Sequence, residues 1–150
     1  METTFKVAEK SDTEILVQFI QEFYEYDGHS FDEATVRTAL AKILNDNSLG
    51  RVWLIQQDNQ AIGYIVLTFG YSLEYRGRDA FIDEFYIRES HRGQGLGVKT
   101  IQFIENVCPS LEIKALHLEV ERENTIAQSF YRKVGFTDQN RYLMTKSIKI

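Results

Sequence analysis

Apolar positions change period several times along this chain, and each change marks an element. Ile15, Phe19 and Phe23, flanked by Leu16, Ile20 and Tyr24, recur at i, i+4, the spacing of an amphipathic helix. Residues 11–14 ahead of them read as a capping box, and Gly28 as the stop. A second helical stripe of Val36, Leu40, Ile43 and Leu44 follows another capping pattern at 30–33, with a turn at 47–50. The period then shortens. Segments 51–56 and 61–69 flank Asp58-Asn59 as the strands of a hairpin, and 70–78 reads as a loop or strand extension. Over 80–87, alternation puts Phe81, Asp83, Phe85 and Ile87 on one face and Ile82, Glu84 and Tyr86 on the other. Val98, Ile101, Ile104 and Cys108 form the next buried helical stripe. Segment 115–120 alternates again, Leu116, Leu118 and Val120 inward and His117 and Glu119 opposite. Asn124 caps a helix with Ile126, Phe130 and Val134 in line, Gly135 ends it, and 142–148 is predicted as a last strand. Segment 5–8 is short enough for an edge strand.

The order β, α, α, β, β, β, α, β, α, β predicts a mixed α/β architecture around one central sheet. The strand before the third helix and the strand after it should run parallel. A length of 150 residues predicts one domain, 1–150.

Composition narrows the functional classes. Hydrophobic residues make up 43% and charged residues 26%, as in ordinary globular domains. The aromatic share of 13%, with eight Tyr and ten Phe, leaves tyrosines available to line a site. A net charge of −5 disfavours nucleic acid as a partner and mildly favours a cationic ligand. One cysteine, Cys108, allows neither a disulfide framework nor a thiolate metal site. The histidines His29, His91 and His117 share no metal-ligand spacing. No secretory leader or apolar run of membrane-spanning length is apparent, so a reducing cytoplasm is the expected setting, with no membrane partner.

The densest chemistry lies at His91-Arg92-Gly93-Gln94-Gly95-Leu96-Gly97, between a predicted strand and a predicted helix. Glycines free the turn of Cβ atoms, so backbone N–H groups can approach a ligand closely. The helix N-terminus adds unpaired donors and a positive dipole end, and Arg92 adds a forked cation. Together these predict binding of a phosphate ester such as a pyrophosphate. A dinucleotide fingerprint would need Gly-x-Gly-x-x-Gly, and Val98 stands where its third glycine belongs. A Walker A loop is excluded because no Gly-Lys-Ser/Thr follows.

On these residues the chain resembles the GNAT superfamily of acetyl-CoA-dependent N-acetyltransferases. Arg92-Gly93-Gln94-Gly95-Leu96-Gly97 is similar to the family's acyl-CoA motif. Asn124, Ala127, Phe130-Tyr131 and Gly135-Phe136 are similar to its second signature, and the element order matches over essentially the whole chain. The resemblance implies a GNAT-like central sheet of about six to seven strands flanked by about four helices. It implies acetyl-CoA as co-substrate, without a metal, and an amine as acceptor, with small-molecule amines and a protein lysine or N-terminus both open and a homodimer as one assembly. Cofactor contacts would come from Phe85, Tyr86 and Ile87 at the strand end, Arg92, Gly93, Gln94, Gly95, Leu96, Gly97 and Val98 in the turn, and Asn124. A backbone N–H near Phe85 or Tyr86 would hold the oxyanion.

When an amine attacks a thioester, the amine must shed a proton and the leaving thiolate must gain one. The resemblance offers Tyr131 as the acid, against the plainer reading of a core-edge tyrosine. Glu84 is the leading base, directly or through water. Glu119 is the reserve, and a structural ion pair is the plain alternative for Glu84. Tyr24, Tyr26, Asp27, Tyr71, Glu74 and Tyr75, with Glu119, make an aromatic and acidic set suited to a cation. His117 and His91 read as strand and turn residues meeting solvent or a neighbour. Two other functions stay open: an acyl-CoA-sensing or partner-binding domain without catalysis, and, more remotely, a dinucleotide-binding oxidoreductase.

Overall fold

The alternating middle of the chain becomes a five-stranded sheet in the computed structural model, which describes residues 1–150. Strands β1 (Thr3–Val7), β2 (Gly50–Gln57), β3 (Gln60–Ser72), β4 (Gly77–Ile87) and β5 (Ile113–His117) lie side by side in chain order. The first four pair antiparallel, and β4 pairs parallel to β5, as the crossover predicted. Helices α1 (Thr13–Asp27) and α2 (Glu33–Asn45) precede β2, and α3 (Leu96–Val107) joins β4 to β5. Two compact units result, Met1–Glu119 and Val120–Ile150.

Within the first unit, Val52, Leu54, Tyr64, Val66 and Tyr86 pack with Leu16, Phe19 and Ile20 of α1 and Leu40 of α2. Full burial of side chains such as Leu16 and Phe19 stabilises the fold by about 1.5–3 kcal/mol each. Ile55, Ile62 and Leu96 gather with Phe5, Phe85 and Ile87, and Phe5 stacks on Phe103 of α3 at 4.3 Å. Both residues of the predicted hairpin loop are left-handed: Asp58 and Asn59 take φ of 51° and 66° between β2 and β3, as a tight two-residue loop demands.

Several boundaries move. The box before α1 is formed by Glu9 and Asp12 around a short 3-10 turn, not by residues 11–14. Asp12 is held by Lys6 at 2.9 Å and by the Glu9 amide at 2.9 Å, which draws the cap upstream. Asp32, not Ser30, caps α2 by accepting from the Thr35 amide at 3.2 Å. Helix α3 starts at Leu96, so its buried face is Leu96, Thr100, Ile101 and Ile104, with Val98 and Cys108 half-buried.

The predicted faces of β4 also change, because the register against β3 slips. Val66 faces Glu84 but Leu67 faces Ile82, which leaves Asp83 as an extra residue. This bulge puts Ile82 and Glu84 on opposite faces despite their spacing of two, and sets Phe81 on the face of Glu84 and Tyr86. It also shortens β5. Its ladder runs to Phe81↔His117, where β4 stops being regular, so residues 118–120 are not strand.

In the second unit, helix α4 (Thr125–Lys133) is capped by Asn124 Oδ1, which accepts from the Ala127 amide at 3.1 Å. Gly135 follows it with φ 108°. The predicted strand at 142–148 does not form. This unit contains no other strand, and an extended segment without a ladder partner leaves its backbone to water. Tyr142, Leu143, Met144 and Ile148 are accordingly exposed. Its loss accounts for a sheet of five strands rather than six or seven.

Candidate active site

Glu84 is held by two tyrosines. The bulge turns it toward α1, where the Tyr24 hydroxyl donates to Oε2 at 2.5 Å and the Tyr64 hydroxyl donates to Oε1 at 2.8 Å. Burial pushes its pKa above the ordinary carboxylate value, against the two tyrosine hydrogen bonds and His29, with the Asp83 charge pushing the same way as burial. Burial raises Tyr24 and Tyr64 as well, so both are donors at neutral pH. A half-buried carboxylate with raised pKa and fixed orientation is suited to accept a proton.

Beyond β4 comes the glycine turn. Gly93 and Gly95 take φ of 78° and 75°, and a Cβ at either would meet nothing within 4 Å. Glycine is therefore favoured there by conformation, and the space in front is open. Gly95 is the N-cap of α3, so the first-turn N–H groups, Leu96, Gly97 and Val98 among them, lack intrahelical acceptors. Open space, unpaired amides and a nearby cation are what a phosphate ester needs. The residues present fit a pyrophosphate-bearing ligand.

Arg92 is placed less simply than its charge suggests. Its Nε donates to the Ile87 carbonyl at 2.8 Å, and the guanidinium lies 4.7 Å over the Tyr26 ring and 5.5 Å from that of Tyr86. The cation is thus fixed at the strand end by α1. Gln94 accepts at 3.1 Å from Nε2 of Gln57, a buried residue at the end of β2. Gln57 was not among the predicted residues. Its only signal in sequence is polarity at the end of an apolar strand.

Sequence reasoning also missed Glu22 and Arg88. The Arg88 guanidinium donates to Glu22 at 3.0 and 2.8 Å, and the Tyr86 hydroxyl donates to the same carboxylate at 3.0 Å. Arg88 holds the Glu22 carboxyl below its usual range, while burial and Glu22 push Tyr86 up to about 12. Arg88 also sits 4.7 Å over Phe19. The second half of α1 is thereby pinned to the end of β4.

The predicted acceptor set divides. Tyr24 meets Glu84, and Tyr26 meets Arg92. Asp27 pairs with His29 at 3.2 Å. Tyr71 stands exposed near the end of β3, and Glu74 lies in the turn to β4. The Tyr75 ring packs 5.0 Å from His117, whose Nε2 is 3.1 Å from Asp79. His117 thus meets a neighbour, as its reading as a strand residue expected. Glu119 is exposed just past β5. His91 lies in a 3-10 turn with Nδ1 3.0 Å from the Ser90 hydroxyl. In the second unit, the Asn124 side chain is engaged as the α4 cap. Tyr131 packs edge-on against Phe130 and Phe136, and burial raises its pKa.

Several known proteins resemble the chain. A solved integron cassette protein from the mobile metagenome of Cole Harbour Salt Marsh is 32% identical, with a TM-score of 0.86, covering 97% of this chain and 91% of that one. The thialysine N-epsilon-acetyltransferase of Bos taurus is 31% identical over 77 residues, 51% of this chain and 45% of its own length, so the match spans less than half of that relative. A putative ribosomal protein bS18-alanine N-acetyltransferase of Bacillus subtilis (strain 168) is 27% identical over 116 residues, covering 77% and 73%. The family model described as Acetyltransferase (GNAT) family matches residues 14–136. The chain belongs to the GNAT family of acetyltransferases, enzymes that transfer acyl groups.

Proposed function

We propose that this chain is an N-acetyltransferase that uses acetyl-CoA to acetylate a primary amine, small and cationic, by direct transfer in a ternary complex. The observation that carries the reading is the pair Gly93 and Gly95, both left-handed, opening α3 directly after a strand that bears the half-buried Glu84. The family match covers residues 14–136 and so takes in parts of both compact units, which supports one acetyltransferase domain. A reducing, cytoplasmic setting belongs to the same proposal.

Acetyl-CoA supplies an activated thioester carbonyl. The turn residues Arg92 to Val98 hold its pyrophosphate through backbone N–H groups and the Arg92 cation. Glu84 takes the proton that the amine nitrogen loses as it bonds to the carbonyl carbon, directly or through a water. Its raised pKa brings it toward the working range, and Tyr24 and Tyr64 keep its oxygens aimed. A backbone N–H near Phe85 or Tyr86, just past the bulge at Asp83, holds the oxyanion. As the carbon–sulfur bond breaks, the Tyr131 hydroxyl gives its proton to the leaving thiolate. Burial keeps that hydroxyl protonated at neutral pH.

Calorimetric titration with acetyl-CoA, followed by thiol release with a panel of amines, tests the reading. Near-stoichiometric binding with amine-dependent thiol release is expected. Binding without release from any amine would favour an acyl-CoA-sensing domain instead, and no binding would remove the turn from the account.

A further inference from the structure

We infer that Phe81, Tyr75, His117 and Asp79 form a subsite for a second cationic group on the acceptor, on the same sheet face as Glu84. This inference rests on the acetyltransfer reading above and names the class of amine that the site takes.

The placement follows from register. Phe81 faces Thr68 and Glu84 faces Val66 across β3 and β4. Thr68 and Val66 are two residues apart, so Phe81 and Glu84 lie on one face roughly 7 Å apart along the strand. Asp79, opposite Gly70, is one further step along that face. Phe81 is 40% exposed although its strand has neighbours on both sides, so its ring is open to a ligand.

The chemistry is that of a cation site. His117 packs 5.0 Å from the Phe81 ring and 5.0 Å from the Tyr75 ring. Its Nε2 is 3.1 Å from Asp79 Oδ2. A carboxylate accepts, so His117 Nε2 donates to Asp79 Oδ2. Two aromatic rings, an imidazole and the Asp79 carboxylate suit an ammonium or guanidinium group. Basic residues beside it on β4 and β5 are engaged elsewhere. Arg78 turns to Phe69 and the Leu111 carbonyl, and Lys114 donates to the Arg76 carbonyl.

The acceptor this describes carries two amines separated by a short chain, one near Glu84 and the other over Phe81. The test compares linear 1,4- to 1,6-diaminoalkanes with the n-alkylamines of equal carbon number. The readout is the ratio of kcat/KM for diamine over monoamine in acetyl-CoA-dependent thiol release. Wild type should favour the diamine by about tenfold or more. Phe81→Leu, which keeps apolar bulk, and Asp79→Asn should each bring that ratio below about threefold. Circular dichroism melts confirm that each variant is folded. A ratio near one in the wild type, or one that neither substitution changes, overturns the subsite. If no amine releases thiol, acetyltransfer is what fails. Calorimetric binding of the same diamines and monoamines to wild type and Phe81→Leu then decides the subsite by the same ratio.

Discussion

The Tyr24 hydroxyl reaches across 60 residues of sequence to donate to Glu84 Oε2. This contact joins the last turn of α1 to the bulged part of β4 and does two things at once. It orients a carboxylate that burial would otherwise drive neutral, and it opposes the rise in that carboxylate's pKa. Tyr24→Phe removes a donor to the charged form, so the Glu84 pKa should move further up. The rising limb of the kcat/KM profile should shift to higher pH, with activity on the acid side falling roughly tenfold. A pH–rate series on both proteins checks this. A limb that stays in place would detach Glu84 from the chemistry.

Glu84→Gln tests the base itself. Gln keeps a carbonyl to accept from one tyrosine but cannot take up a proton. Turnover should fall about 10²-fold or more, and the rising limb should vanish. A variant that keeps both its limb and its rate would move the proton to water or to Glu119, which lies exposed past β5.

The glycine turn separates folding from binding. Gly95 has φ 75° with nothing within 4 Å of a Cβ, so Gly95→Val meets no clash. It does meet backbone strain of about 1–3 kcal/mol. The melting temperature should drop by several degrees while the fold is kept. Acetyl-CoA affinity should fall by more than about a hundredfold, because side-chain bulk and a shifted backbone both intrude on the cradle. Calorimetry beside a thermal melt reads the two effects separately.

Glu22 and Arg88 give the sharpest stability test. Both side chains are about seven-tenths covered, at 29% and 28% exposure, and 2.8 Å apart. Arg88 lowers the Glu22 pKa in the folded chain below its ordinary 4.5. The stabilisation is therefore present above pH 4.5 and lost as pH falls through the folded value. Glu22→Gln should cost about 1–3 kcal/mol at pH 7, with the gap to wild type closing in acid. Urea titrations at pH 7 and at about pH 3 check the sign. An equal gap at both would mean that the ion pair contributes nothing.

What the residues alone revealed was local. The helices, the Asp58-Asn59 loop and the glycine turn depend on nearest neighbours along the chain, and all are found in the structure, though the buried face of α3 shifts to take in Leu96 and Thr100 and Ile126 of α4 stands exposed. The bulge at Asp83 depends on how β4 registers against β3, which no run of residues states. Simple alternation therefore put Ile82 and Glu84 on one face. Gln57 with Gln94, Glu22 with Arg88 and Asp79 with His117 are joined across 37, 66 and 38 residues, and each reads in sequence as an ordinary polar position. The segment 142–148 fails in the opposite way. Its apolar content suits a strand, but pairing needs a partner, and its own unit contains none.

Tyr131 supplies the last test, within the second unit alone. Its ring packs edge-on against Phe136 at 5.7 Å, and the Phe136 amide donates to the Tyr131 carbonyl at 2.9 Å. Tyr131→Phe keeps both contacts, so the melting temperature should stay within a degree or two of wild type, about 0.5 kcal/mol or less. Burial raises the Tyr131 pKa, so the hydroxyl is protonated when a thiolate needs it. If it is the proton donor, kcat should fall about 10²-fold while acetyl-CoA affinity stays within about threefold. Acetyl-CoA analogues whose leaving thiol is more acidic need less help from a donor, and should recover most of that loss. A variant that loses affinity and rate together, with no recovery, would make Tyr131 a packing residue.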